Sequence, residues 1–249
     1  MTTTTPAPLP HLAGITVIEL GQNLAAPYAA NILGELGAQV IKIEKDGGDD
    51  CRGWGPPFVD GDSTSFHLMN RNKRSVVLAL DDPADKAVFD RLVAGADIFI
   101  HNLRPGVEHK LGVDADTLMA LNPRLIYCGT NAFGHAGPLQ DKPGYEPLLQ
   151  AFAGLVSVNG DPSGPPSRVG PSVVDLGTGM WTVIGALTAL LNRQATGRGS
   201  VVQTSLFETA LGWVARHAAD YGATGKIPPR VGTRSEERRV GKECMPVCR

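Results

Sequence analysis

Apolar positions along the chain fall into short continuous runs separated by longer stretches in which apolar and polar residues recur at helical spacing. The run at 15–20 is short and ends at Gly21, which predicts a strand. Residues 24–36 then read as a helix, with Asn23 as a candidate cap, Pro27 in the first turn and Gly37 as the stop. A second strand is expected over 38–43, followed by a glycine- and proline-rich loop over 45–61 and a polar stretch that ends at Arg74. Further strands are expected at 75–80, 97–101, 125–129 and 200–204. Helices are expected over 82–94, where Asp82 caps and Pro83 opens, and over 114–121, 145–155, 178–193 and 206–219. Residues 160–167 form a surface loop, and no internal repeat is visible. This alternation predicts an α/β protein with a mostly parallel sheet and helices on both faces.

One segment stands out from that pattern. Residues 172–179 read Ser-Val-Val-Asp-Leu-Gly-Thr-Gly, so the apolar pair Val173 and Val174 delivers Asp175 to the end of an extended run. Gly177 and Gly179 then open a long apolar helix. A carboxylate there would lie among unpaired N–H groups at the positive end of the helix dipole, which keeps it ionised. The flanking glycines would let a ligand come close. Such a carboxylate can attack an activated acyl group without a partner base. The plainer alternative is an aspartate that only caps the helix.

In sheets of this kind ligands sit outside the carboxyl ends of the strands. The turn after the first strand, residues 21–27, lacks the glycine spacing of a dinucleotide fingerprint, although small Ala25 and Ala26 leave the next helix N-terminus approachable. Lys45 follows the second strand, and Arg104 and Lys110 follow the fourth. Together these three could neutralise a phosphate-bearing ligand; singly, each would be a solvated surface charge.

Composition narrows the field further. Residues 234–244 back-translate codon for codon into a common sequencing-adapter sequence, so 234–249 are expected to be non-native and are set aside, including Cys244 and Cys248. Removing that tail leaves 18 basic against 22 acidic residues, a net charge of −4 that argues for neither nucleic acid nor membrane. Cys51 and Cys128 are then the only cysteines and suit a reducing, cytoplasmic compartment. No metal-ligand spacing is present. Residues 1–11 read as a disordered leader, not a signal peptide, and the apolar run at 180–191 is too short to span a bilayer.

An ordered set of motifs is more specific. Gly14-Ile-Thr-Val-Ile-Glu-Leu-Gly21, the Ala-Ala-Pro ending at Pro27, and Leu-Gly-Ala-Gln-Val-Ile-Lys-Ile-Glu44 resemble the opening of class III CoA-transferases, the CaiB–BaiF family. Asn70 to Ser75, Asn102-Leu-Arg-Pro-Gly106, Asn122-Pro-Arg-Leu-Ile126, Asp175 with Thr178-Gly179, and Thr196-Gly-Arg-Gly199 match later landmarks in the same order, and the resemblance covers 12–233. It implies a Rossmann-like large domain over 12–220, a linker over 221–233 toward a small domain not contained here, and two chains interlocked as a homodimer. On that reading the natural protein is longer. This chain would then lack the glycine-rich loop that covers the acyl group and is expected to be inactive by itself.

The resemblance makes Asp175 the catalytic residue, with Tyr145, Glu146, Gly177 and Gly179 near the acyl group. It places Leu24, Ala25, Lys45, Leu78, Asn102, Leu103, Arg104 and Lys110 against CoA. Leu24 replaces the glutamine of the formyl-CoA enzyme. That enzyme's lysine before Tyr-Glu is Pro143 here, with Lys142 one position earlier. Away from the resemblance, Tyr145 reads equally well as a half-buried aromatic at a helix start. The implied activity moves CoA from an acyl-CoA donor to a free carboxylic acid through an aspartyl-CoA thioester, with CoA as substrate and no bound cofactor. A racemase of the same family is disfavoured because its Gly-His-Asp is Gly144-Tyr-Glu146 here, and tyrosine is a poor base for an α-proton. A non-catalytic CoA-binding protein on the same fold is the other alternative.

Overall fold

Six of the alternating runs pair side by side in the computed structural model, which describes residues 10–232. Residues 1–9 of the expected leader and all of the expected adapter-derived tail lie outside the described residues. In chain order the elements are β1 (Thr16–Leu20), α1 (Ala25–Glu35), β2 (Gln39–Glu44), a 3-10 turn (Asp50–Gly53), the hairpin strands β3 (Phe58–Val59) and β4 (Asp62–Ser63), and α2 (Thr64–Asn70). Next come β5 (Lys73–Val77), α3 (Pro83–Ala94), β6 (Ile98–His101), α4 (Val107–Lys110), α5 (Ala115–Leu121) and β7 (Ile126–Asn131). The chain continues through α6 (Glu146–Phe152), α7 (Leu155–Val158), α8 (Val173–Thr196), β8 (Val201–Ser205) and α9 (Leu206–Thr224).

The sheet runs β5-β2-β1-β6-β7-β8, and every neighbouring pair in it is parallel. With the hairpin set aside this is the doubly wound order, whose direction reverses between β1 and β6. Alternation along the strands builds the two faces. Val17, Val40, Ile98, Ile100 and Cys128 pack toward α1 and α8. Ile18, Ile43, Phe99 and Tyr127 pack toward Phe89 and Val93 of α3 and Leu118 of α5. A smaller cluster joins Leu149, Val174 and Ala210, linking α6, the start of α8 and α9.

Several expected boundaries shift for identifiable reasons. Asn23 is not the cap of α1: its φ is 66°, and the N-cap position belongs to Leu24, which offers no side-chain bond. Helix α2 falls within the expected polar stretch and has only Phe66 and Met69 as buried side chains; Ser63 caps it by accepting from the Phe66 N–H. Helix α9 continues through Thr224, past the expected domain boundary at 220. The short apolar run at 180–191 belongs to the 24-residue α8, which is long and apolar enough to cross a membrane by length and composition, so the length argument fails. What α8 does here is pack: half of that apolar window is buried, and the helix lies against α1, β7, β8 and α9.

The sheet face beneath α1 turns charged near its carboxyl end. Glu19 and Lys42 are direct register partners, both fully buried, with Lys42 Nζ 2.7 Å from Glu19 Oε1. Lys73 Nζ, arriving from β5, lies 2.7 Å from Glu19 Oε2, and Asp49 Oδ2 lies 2.9 Å from Lys42. Burial opposes the charge on Glu19, but Lys73 and Lys42 outweigh it and hold the carboxyl below its ordinary range. Burial likewise opposes the charge on Lys42, and Glu19 with Asp49 holds it above its usual value. For Lys73 burial prevails and lowers the pKa to about 8. The cluster also grips backbone. Lys42 donates to Gly21 O, Lys73 donates to Pro27 O, and Asp49 Oδ1 accepts from the Asn23 N–H. The β1–α1 loop is thus tied down from beneath.

Lys42→Met is expected to cost about 3–5 kcal/mol, because it leaves two buried carboxylates short of a partner. Urea titration of the variant against the parent checks this, and a loss below about 1 kcal/mol would show the cluster to be energetically idle.

Candidate active site

The reversal in strand order opens a crevice between the loops after β1 and β6. Asn102 ties those loops together: its Oδ1 accepts from the Gln22 N–H at 2.9 Å and its Nδ2 donates to Gln22 O at 2.8 Å. A cavity of about 540 Å³ extends from this junction, a size suited to a small-molecule site. Its wall includes residues 22–25, 102–105 and 130–132, the start of α6, Arg168, and Asp175 near the start of α8. Arg104 Nη2 donates to the Tyr145 hydroxyl at 3.2 Å, joining the β6 loop to α6.

Asp175 does not end a strand. It occupies the first turn of α8, which begins at Val173. The N–H groups expected to surround its carboxylate are already engaged. Val173 N–H donates to Pro171 O and Leu176 N–H to Ser172 O. Val174 N–H donates to Glu146 Oε1 at 3.1 Å and Asp175 N–H to Glu146 Oε2 at 2.6 Å. Ser172 makes no side-chain cap bond, so the carboxylate of Glu146, 29 residues before Asp175, caps the helix. Glu146 is buried and is itself held by Gln150 Nε2 at 2.6 Å.

This arrangement reverses the expected electrostatics of Asp175. Burial raises its pKa to about 7, and the neighbouring Glu146 charge adds to the rise. The carboxyl is therefore poised near neutrality instead of being held ionised by the helix N-terminus, because Glu146 has taken the N–H groups that would have lowered it.

Of the residues expected to form the site, Asp175, Tyr145, Glu146, Leu24, Ala25, Asn102, Leu103 and Arg104 all line the cavity. Five others do not. Lys45 is half exposed and paired with Asp50 at 2.6 Å, so it is Asp50 that reaches the cavity wall. Leu78 is buried in the core against α3 and α5. Lys110 ends the four-residue α4 with its side chain exposed, away from the lining. Gly177 and Gly179 serve helix packing and not ligand access. A Cβ at Gly177 would lie 2.6 Å from the Trp213 ring, and one at Gly179 would lie 2.8 Å from Ala25 O. Lining residues that the sequence did not mark include Arg168, Trp54 and Asn131, and Lys142, noted only as a displaced lysine, lines it too. Arg168 lies seven positions before Asp175, and no local pattern marks it. Among the described residues no group of three or more His, Cys, Asp or Glu is placed to hold a metal ion.

A family model described as CoA-transferase family III matches residues 12–241, a span whose last eight residues fall in the segment read as adapter-derived. The acetyl-CoA:oxalate CoA-transferase of Acetobacter aceti is 42% identical over 237 residues, covering 94% of this chain and 61% of that protein. The succinate–glutarate CoA-transferase of Agrobacterium fabrum is 40% identical, covering 90% of this chain and 58% of its own length. The crystal structure of a CaiB/BaiF family protein from Brucella suis superposes with a TM-score of 0.86 at 39% identity, covering 90% of this chain and 60% of that one. The chain thus spans about three fifths of the length of these relatives.

The raised pKa of Asp175 has a sign that can be checked. Between about pH 4 and pH 7 the folded protein holds a proton on Asp175 that the unfolded chain has released. This group's contribution to stability therefore falls as pH rises through that window. Asp175→Asn is expected to remove that slope and to stabilise the fold at pH 8 by about 1–3 kcal/mol. Glu146→Gln in the parent is expected to lower the Asp175 midpoint, read from the carboxyl carbon resonance. A midpoint near 4 in the parent protein would contradict the assignment.

Proposed function

The chain belongs to CoA-transferase family III, and from that premise we propose that its cavity binds an acyl-CoA and that Asp175 passes the CoA to a free carboxylic acid. The observation that carries this reading is that Asp175, the loops at the strand-order reversal and the N-terminus of α1 share one cavity. Helix α1 has no side-chain cap, so the positive end of its dipole faces the cavity at Leu24 and Ala25. With Arg104, it supplies the environment a phosphate-bearing ligand needs.

In the proposed reaction the Asp175 carboxylate attacks the thioester carbonyl, a C–O bond forms, and CoA leaves as thiolate. The thiolate then attacks the aspartyl carbonyl of the resulting anhydride, releasing the donor acid and leaving an aspartyl-CoA thioester. The acceptor carboxylate attacks that thioester and frees the thiolate once more. Finally the thiolate takes the acceptor's acyl group and Asp175 is regenerated. Each step exchanges one activated acyl bond for another, so no external energy source enters. The oxyanions need donors, and the α8 N-terminus cannot serve because Glu146 occupies it. The Tyr145 hydroxyl accepts from Arg104, which leaves its own proton to donate into the cavity.

The relatives named above act on oxalate, succinate and glutarate, which supports a dicarboxylic acid as donor or acceptor here. For the whole protein the interlocked homodimer of the family is part of the same proposal, and the free, buried Cys51 and Cys128 support a reducing, cytoplasmic setting.

Incubating the full-length protein with an acyl-CoA and digesting it is expected to give an acyl or CoA adduct on the peptide that carries Asp175. Asp175→Ala is expected to give none, whereas undiminished transfer by that variant would refute the nucleophile. A chain that binds CoA but forms no adduct would point to the non-catalytic alternative.

For CoA contact, Arg104→Glu is expected to weaken binding about tenfold, roughly 1.4 kcal/mol, and Lys110→Glu to leave it within about twofold. Calorimetric titration with CoA checks both, and equal losses would move the phosphates toward α4.

A further inference from the structure

Arg168 lines the same cavity as Asp175, yet among the described residues its side chain has no hydrogen-bond or ion-pair partner. The Arg168 side chain is exposed to solvent, as are those of the unpartnered Arg74, Arg91 and Arg198, but it alone of these lines the cavity, and several other arginines are engaged. Arg52 pairs with Glu44 and Asp62, Arg193 with Asp97, and Arg104 donates to Tyr145. The backbone that carries Arg168, by contrast, is fixed on both sides. Ser167 N–H donates to Asn159 O at 3.3 Å, and Ser167 O accepts from Asn159 Nδ2 at 2.9 Å. Val169 N–H donates to Gln150 Oε1 at 2.8 Å, and Val169 O accepts from Gln150 Nε2 at 3.2 Å. Gln150 is fully buried, and the same Nε2 also holds Glu146, whose carboxylate binds the Asp175 peptide. One chain of hydrogen bonds therefore sets the Arg168 backbone relative to the reacting carboxyl.

A free guanidinium on a fixed backbone is suited to two-point recognition of a carboxylate, because its planar fork forms two hydrogen bonds for one ordering of the side chain. The switch-point end of the cavity has its own anion-binding features, Arg104 and the uncapped α1. The backbone beside Arg168 is linked through Gln150 and Glu146 to the Asp175 peptide. We propose that Arg168 receives the second carboxylate of a dicarboxylic acid whose first carboxyl reacts at Asp175, and that it thereby selects dicarboxylic over monocarboxylic acids. The proposal rests on the transferase reading of this cavity and deepens it by assigning the residue that reads the remote end of the acid.

The test is calorimetric titration of glutarate and of butyrate, with and without CoA, into the parent protein, Arg168→Met and Arg168→Lys. In the parent, glutarate is expected to bind at least tenfold more tightly than butyrate. Arg168→Met is expected to abolish that preference and leave butyrate and CoA affinity within about twofold, so unchanged CoA binding also reports an intact fold. Arg168→Lys is expected to retain part of the preference, since it keeps the charge without the fork. Three results overturn the proposal: no glutarate preference in the parent, a preference that survives Arg168→Met, or a variant that loses CoA affinity instead, which would assign Arg168 to a CoA phosphate. Should the parent discriminate glutarate through Arg168 and yet bind no CoA, the transferase reading would fail while the carboxylate subsite stands.

Discussion

Two strands that meet in register with a glutamate opposite a lysine, inside the protein, set the terms for everything above them. Glu19 and Lys42 could not be buried on the α1 face unless paired, and with Lys73 and Asp49 they form a four-charge cluster in contact at hydrogen-bond distances. The cluster does more than neutralise itself. The loop from Gly21 to Ala25 has no glycine-rich phosphate turn to define its path, and the cluster defines that path by bonding Gly21 O, Asn23 N–H and Pro27 O. The cavity wall contributed by β1 and α1 is thus built on an electrostatic foundation that apolar packing alone would not supply.

The two helix N-termini at the cavity are treated in opposite ways, and their chemistry follows from that. Helix α1 has no side-chain cap, which leaves its dipole for a ligand. Helix α8 is capped by a carboxylate from α6, which withdraws its N–H groups from Asp175 and adds a like charge nearby. A weakly held, partly desolvated carboxylate is a better nucleophile than one stabilised by donors, and a buried charge of this kind is paid for in stability. The glycines next to Asp175 belong to another task. They let α1 and α9 approach α8 to distances at which a Cβ would collide with Ala25 O and the Trp213 ring.

Strands and helices with clear periodicity were legible because the burial of alternate or every third-to-fourth residue is a local property. The α/β class follows from their order, and so does the end of the sheet where the cavity lies. The start of α8 was not legible. Val173 and Val174 have the side chains of a strand, and what makes this start helical is the cap that Glu146 places on the Val174 and Asp175 N–H groups, 28 and 29 residues away. Lys45, Arg104 and Lys110 looked equivalent as cations after strands. A local contact with Asp50 removes Lys45, and the short α4 carries Lys110 off the lining, while Arg104 reaches Tyr145. Family motifs marked Asp175, Tyr145 and Glu146, which line one cavity, but no local pattern marks Arg168, whose position depends on Gln150 and Asn159.

Three primary amides around the cavity do the same thing. Asn102 takes both the N–H and the carbonyl of Gln22, Asn131 those of Gly134, and Gln150 those of Val169. Each acts as one rung of a strand ladder where no neighbouring strand exists. An amide offers a donor and an acceptor without titrating, so these rungs stay in place while the proton on Asp175 comes and goes. The frame and the Asp175 carboxyl are thereby insulated from each other with respect to acidity. Conversion of any one of these amides to its acid would set a carboxylate against a carbonyl and break that insulation, so the same chemical ageing would act on the cavity wall at Asn102 and Asn131 and behind it at the buried Gln150.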